Sequence, residues 1–241
     1  MGIGSFFSYG LVRPDQVGPR FFLYHGLGTL AAMAGAFYFR PAGFIGETKI
    51  ALITAAAALA ISSGMVRTAW GNFVFAAFCM IGGLLYLGAG KLSVMGLPPG
   101  AVALNLTLVA LMLGFAMTAM WLGHWYLTQP KLSINELKRI TVALAGVLIS
   151  RGIVAAIFTL PRLPGTEAEF YRFLASSTGI FLMMRTAWGL VVPLVFVWMV
   201  WKTVQIRSTQ SATGILYVLL LSVLAGETLS LYLMFHDGWI V

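Results

Sequence analysis

Four ionisable residues stand inside apolar stretches of this chain: Arg67, Arg151, Arg185 and Glu227. A charge within a membrane span costs about 2.5–3.5 kcal/mol on insertion scales, so each of these needs a physical reason to be there. Two or three arginines against one glutamate leave surplus positive charge. A haem propionate, a lipid phosphate or an anionic substrate could neutralise it, and a carbonyl-rich quinone head group could accept from the arginine donors. The plainer alternative is a buried Arg–Glu pair that locks helices together. Such a pair adds little net stability, because desolvation offsets the attraction.

Histidine offers a second chemistry. His25 lies near the start of one apolar run, and His124 near the end of another, within Leu122-Gly123-His124-Trp125-Tyr126-Leu127. Two histidines at similar depth on different helices could ligate a b-type haem. Gly26, Gly28 and Gly123 would let a flat macrocycle approach the backbone. Alternatively, His124 belongs to an interfacial belt of Trp and Tyr. His236 lies near the chain end and is assigned no role. No metal site is expected: the single cysteine, Cys79, cannot form an internal disulfide or a Cys-ligated cluster. No P-loop, GxSxG, HExxH or CxxC motif occurs, so hydrolase and ATPase readings lack support.

The elements that must position these residues are membrane helices. Of 241 residues, 60% are hydrophobic and only 9% charged, with a mean hydropathy of +0.92. A soluble domain has about 45–50% apolar and about 25% charged residues, so a soluble globule, a disordered tail and a disulfide scaffold are all excluded. The formal charge of +8 comes from 15 basic and 7 acidic residues. Because the basic residues fall mostly in short loops, they indicate topology and contact with the lipid bilayer, and no nucleic acid is expected as a partner.

A span needs about 20 apolar residues. The sequence predicts an all-α polytopic transmembrane bundle of about seven helices, with six to eight allowed. The predicted spans are 21–39, 49–66, 70–90, 101–127, 140–160, 174–201 and 212–235. Pro98-Pro99-Gly100 and Pro130 bracket the fourth, and Pro161 and Pro164 close the fifth. Ser133-Ile134-Asn135-Glu136 has the form of a capping box at the entry to the fifth. Pro193 predicts a kink in the sixth. Glu167, Glu169 and Arg172, just before the sixth, could occupy a short interfacial segment. The first apolar run follows Arg13, Pro14, Asp15 and Arg20 and lacks a small-residue cleavage pattern, so it reads as a retained helix rather than a signal peptide.

The chain reads as one integral membrane domain, 1–241, with an internal echo. Met65-Val66-Arg67-Thr68-Ala69-Trp70-Gly71 recurs as Met183-Met184-Arg185-Thr186-Ala187-Trp188-Gly189. This implies half-repeats of about 21–127 and 140–236, an arrangement that tends to put sites at the repeat interface. Basic residues split between the two sides. Arg13, Arg20, Arg67, Lys131, Lys138, Arg139, Lys202 and Arg207 face Arg40, Lys49, Lys91, Arg162 and Arg172. That bias predicts a cytoplasmic N-terminus and an external C-terminus in a bacterial inner membrane.

The end of the last span reads Gly226-Glu227-Thr228-Leu229-Ser230-Leu231-Tyr232-Leu233. It resembles the Gly-Glu…Arg-Tyr-Leu segment of the quinone-interacting membrane anchors of the polysulfide/DMSO reductase type. The likeness covers about 20 residues. Leu231 stands where those anchors carry arginine, and the chain is short for them, so only Glu227 is carried over, as a polar contact in a quinone or proton site. The resemblance implies a membrane subunit of a respiratory electron-transfer complex, with iron–sulfur or cytochrome partners, other membrane subunits and quinone. The residues alone leave two alternatives open: a small secondary transporter or channel that clamps an anion with the same arginines, and a purely structural subunit.

Overall fold

The computed structural model describes residues 2–38, 96–129 and 132–241. The predicted spans 49–66 and 70–90, the first copy of the echo with Arg67, and Cys79 lie outside the described residues. Helices α1 (Gly2–Tyr9), α2 (Pro14–Val17) and α3 (Pro19–Tyr38) come first. They are followed by α4 (Pro99–Thr128), α5 (Asn135–Thr159) with a 3₁₀ turn (Leu160–Arg162), and α6 (Glu167–Leu174). Then α7 (Ser177–Thr186), a π-helical turn (Ala187–Val191) and α8 (Val192–Gln205) form one continuous span, and α9 (Thr209–Asp237) closes the chain. No strand occurs among the described residues.

Four of these units are long and apolar enough to cross a membrane: Pro99–Thr128, Asn135–Arg162, Ser177–Gln205 and Thr209–Asp237. They correspond to the fourth to seventh predicted spans. At 28 to 30 residues each is about 42–45 Å long, against a hydrocarbon core of about 30 Å, so their ends reach the head-group layers or the helices tilt. α3 forms where the first span is predicted, but it is not one of the four. Neither the count of seven nor the duplication is reached within the described residues.

The four spans close a ring. α4 packs on α5 and α9, and the α7–α8 span packs on the same two helices from the other side. Hydrogen bonds at the ends fix the antiparallel order. At one end, the Arg13 backbone N–H donates to Glu136 Oε2 (3.1 Å) and Trp125 Nε1 donates to the Val17 carbonyl (3.2 Å). At the other, Arg162 donates to the Gly238 carbonyl (2.5 Å) and Thr178 to Asp237 Oδ2 (2.9 Å). α1 lies against the outside of α4, where Gly4 and Gly114 meet so closely that a Cβ on either would overlap the partner's backbone. Small residues that let backbones touch are the usual cement between helices in lipid.

Several boundaries follow local chemistry. Pro99 occupies the first turn of α4, where a missing N–H is harmless. The expected capping box at α5 does not form, because Ile134 is the cap residue and no side chain caps it. Glu136 turns away instead, towards the Arg13 backbone and Arg139. Glu167 and Glu169 fall on the short, separate helix α6, and the next span starts three residues after α6 ends, with Ser176 Oγ accepting from the Gly179 N–H (3.2 Å). Pro193 acts on the turn before it. It cannot donate a hydrogen bond and its ring crowds the carbonyl four residues back, so residues 187–191 widen into the π-helical turn.

The α8–α9 connection carries strain. Arg207 adopts φ 57°, in the left-handed region where a Cβ costs about 1–2 kcal/mol, while the Ser208 N–H donates to the Thr203 carbonyl (2.9 Å). Glycine is the usual residue at such a helix end. Arg207→Gly is therefore expected to stabilise the purified protein by about 1 kcal/mol in denaturant unfolding. A loss of stability would show that the arginine side chain contributes more than its backbone strain removes.

Candidate functional site

The ring's interior polar groups converge from all four spans. α5 contributes Arg151, α7 Arg185, α9 Glu227 and Ser230, and α4 Asn105. Each is at most 1% exposed. Arg151 grips Glu227 in a bidentate fork along one edge of its guanidinium: Nε donates to Oε1 (3.3 Å) and Nη2 to Oε2 (3.0 Å). Nη2 also donates to Ser230 Oγ (2.6 Å), and Nη1 to Asn105 Oδ1. Asn105 Nδ2 in turn lies 3.1 Å from Met234 Sδ. Arg185 reaches the same carboxylate through Nη2, 2.8 Å from Oε1. One carboxylate thus serves two arginines carried on different helices.

The geometry around Arg185 explains part of the echo motif. Leu182, Arg185 and Gly189 face inwards, while Met183, Met184 and Trp188 are exposed. Gly189 of the π-helical turn and Gly226 of α9 cross in contact, and a Cβ on Gly226 would stand 3.0 Å from Arg185 Nη1. The glycine four residues after the arginine therefore makes room for its guanidinium and for the neighbouring backbone. Arg185 Nε and Nη1 have no hydrogen-bond partner. Burial of an ion without full compensation costs several kcal/mol, so these vacant donors are the least satisfied part of the bundle core.

The cluster is not at mid-span. Arg151 lies eight residues before the end of α5 and Arg185 eight residues after the start of α7, which places them about 12 Å from the bundle end that carries α6. A cavity of about 490 Å³ lies on that side of the bundle, between α5, α6 and the α7–α8 span. Gly152, Ala155, Leu182, Thr186, Leu190 and Val241 are among its lining residues. Gly152 and Thr186 are the sequence neighbours of the two arginines. The tail after α9 separates cavity from cluster. Gly238 (φ 69°) turns the chain back, and the buried Val241 lines the cavity while its carbonyl accepts from Ser230 Oγ. Thr186 Oγ1 is occupied by the Leu182 carbonyl (2.9 Å), which leaves the cavity wall apolar.

The sequence-predicted residues therefore divide. Arg151, Arg185 and Glu227 come together. Arg67 lies outside the described residues. His25 and His124 do not meet. His25 is buried with Tyr9 on Nδ1 and Phe21 and Trp121 packed on its ring, whereas His124 faces α9 with Nδ1 3.2 Å from Tyr217 Oη. The glycines beside them are covered by protein. Trp121 fills the space at Gly28, and Leu216 and Thr213 fill that at Gly123. His236 pairs with Asp237 Oδ1 at the surface (2.6 Å). No group of three His, Cys, Asp or Glu side chains gathers among the described residues.

Asn105 and Ser230 are the members that sequence reading misses. Asn105-Leu106-Thr107 reads only as a glycosylation pattern made irrelevant by its place in a span. Its better signal is an amide buried in an apolar helix, which needs a partner. Ser230 stands three residues after Glu227, on the same helical face.

No protein-family model, curated protein or solved structure matches this chain.

Removing the α4 arm tests the site directly. Asn105→Leu leaves Arg151 Nη1 without its acceptor and is expected to cost about 1–3 kcal/mol in unfolding of the purified protein. Stability equal to the parent would mean that the α4 contact does not hold Arg151.

Proposed function

We propose that the chain is an integral membrane subunit of a respiratory-type electron-transfer complex, one that docks redox partners and contacts quinone beside Arg151, Arg185 and Glu227. The observation that carries this reading is a buried carboxylate shared by two arginines, one with donors to spare, next to an apolar cavity of about 490 Å³. Ligand pockets commonly measure about 300–1,000 Å³ and combine apolar walls with few polar groups. An isoprenoid tail suits these walls. A quinone oxygen suits the free donors of Arg185 once the returning tail, which lies between cavity and cluster, is displaced, and Glu227 is the proton acceptor closest to them. The electrons come from an iron–sulfur or cytochrome partner at the membrane surface, as the chain has no redox group of its own in this reading. The excess of basic residues near the α3, α5 and α9 starts supports a bacterial inner-membrane protein with that end in the cytoplasm.

A second reading, a small secondary transporter of an organic anion, has one observation in its favour. The helix that carries Arg185 is interrupted by a π-helical turn just beyond it, and transporters bind ions and substrates at interrupted helices. In the third reading the cluster only locks the helices.

Gentle detergent extraction from the native membrane separates these. The electron-transfer reading predicts a co-purifying iron–sulfur or cytochrome chain, a reduced-minus-oxidised signal from that complex, and extractable quinone. A lone chain without a redox partner that moves an organic anion into proteoliposomes would replace it with the transporter. Within an intact complex, Glu227→Gln is expected to lower quinol turnover at least tenfold while assembly persists. Failure to assemble would support the lock.

A further inference from the structure

The tail after α9 stands between the cavity and the cluster. Gly238 (φ 69°) turns the chain back, and the Trp239 N–H closes the turn on the Leu233 carbonyl (3.0 Å). Ile240 packs with Val102 and Met234, and Val241 with Ala155 and Leu190. On the outside, the exposed Arg162 donates to the Gly238 carbonyl (2.5 Å) and lies 5.8 Å from the Trp239 ring, which stacks on Phe173 of α6 (5.5 Å). On the inside, Val241 lines the cavity while its carbonyl accepts from Ser230 Oγ. A serine hydroxyl has one proton to donate. Ser230 Oγ accepts from Arg151 Nη2 (2.6 Å), and its proton goes to the tail.

We infer that Gly238–Val241 is an internal occupant of a ligand's place, and that the ligand which displaces it carries a carbonyl oxygen on an apolar body. The tail has both features, a carbonyl on Ser230 and a valine in the cavity wall. An occupant without an acceptor would leave the Ser230 proton buried and unpaired, which is costly. Gly238 is the hinge. Arg162 and Trp239 form the latch, and because Arg162 is exposed the latch parts without burying a charge. The inference rests on the reading of the cavity as a ligand chamber, and adds Ser230 as the donor and the tail as its regulator.

The test uses the full chain in lipid nanodiscs, with Cys79→Ser and Ile240→Cys, labelled by a water-soluble maleimide. Ile240 is 1% exposed, so labelling reports the tail swinging out. Leu216→Cys, equally buried between α4 and α9, is the control. Two carbonyl compounds, decylbenzoquinone and decanophenone, are expected to speed labelling at position 240 by about tenfold, with saturation and with position 216 unchanged. Decylbenzene, which has no acceptor, is expected to do nothing. Arg162→Gln is expected to speed labelling without ligand and to lower the half-saturating ketone concentration, because the ligand then competes with a looser tail. Ser230→Ala is expected to speed labelling too, but to raise that concentration about tenfold. A tail that only seals the bundle would not give shifts of opposite sign. Labelling that neither carbonyl compound changes, an equal response to decylbenzene, or a parallel rise at position 216 would overturn the inference. A response to the ketone but not to the quinone would keep the strap and sink the quinone reading. Should Ser230→Ala fail to fold, the series of three compounds on the otherwise unaltered chain decides.

Discussion

Arg151, Arg185 and Glu227 are buried in the bundle interior, and the rest of the bundle is arranged to make that tolerable. Charge in a low-dielectric interior is stable only when paired and hydrogen-bonded. The pairing here runs across the ring, from α5 and α7 to α9, with α4 adding Asn105. No span can slide or rotate by one residue without breaking a contact in the cluster. Apolar packing between helices in lipid has little directional preference, because lipid tails are as apolar as the side chains. The polar cluster supplies the register that apolar contact lacks.

Close packing follows from the same demand. Glu227 reaches Arg185 because α9 and the π-helical turn approach at paired glycines, Gly226 and Gly189. The turn exists because Pro193 interrupts the helix one step later. Proline, glycine and arginine thus form one local device within ten residues. On the far side of α5 the same close spacing gives way to an apolar cavity, capped by the short helix α6 and by the returning tail. A polar centre next to an apolar cavity is the feature that any account of this protein's activity has to use.

Much of this was legible in the sequence. The four spans are marked by apolar length and by Pro98, Pro99 and Pro193, and the positions of Arg151, Arg185 and Glu227 in them foretold a buried cluster. What was hidden depends on tertiary context. Asn105 looks like any sequon until α5 presents Arg151 to it. Glu136 fits a capping box, yet the Arg13 backbone offers it a better partner. The short, glycine-bearing start of the chain gave no sign of a helix, but Gly4 finds Gly114 on α4, so α1 folds against the bundle. His25 and His124 have similar depth in the sequence pattern, yet they face different neighbours, because which face a residue presents depends on which helices pack beside it.

The central claim is that Arg151 and Glu227 act as one energetic unit that holds the helices together. A double-mutant cycle with Arg151→Gln, Glu227→Gln and the combined variant, read by denaturant unfolding of the purified protein, tests it most directly. The account predicts that each single change lowers stability without unfolding the bundle, and that the double variant loses less than their sum by about 1–3 kcal/mol. Additive effects, within about 0.5 kcal/mol, would mean that the two side chains do not depend on each other and would contradict the account.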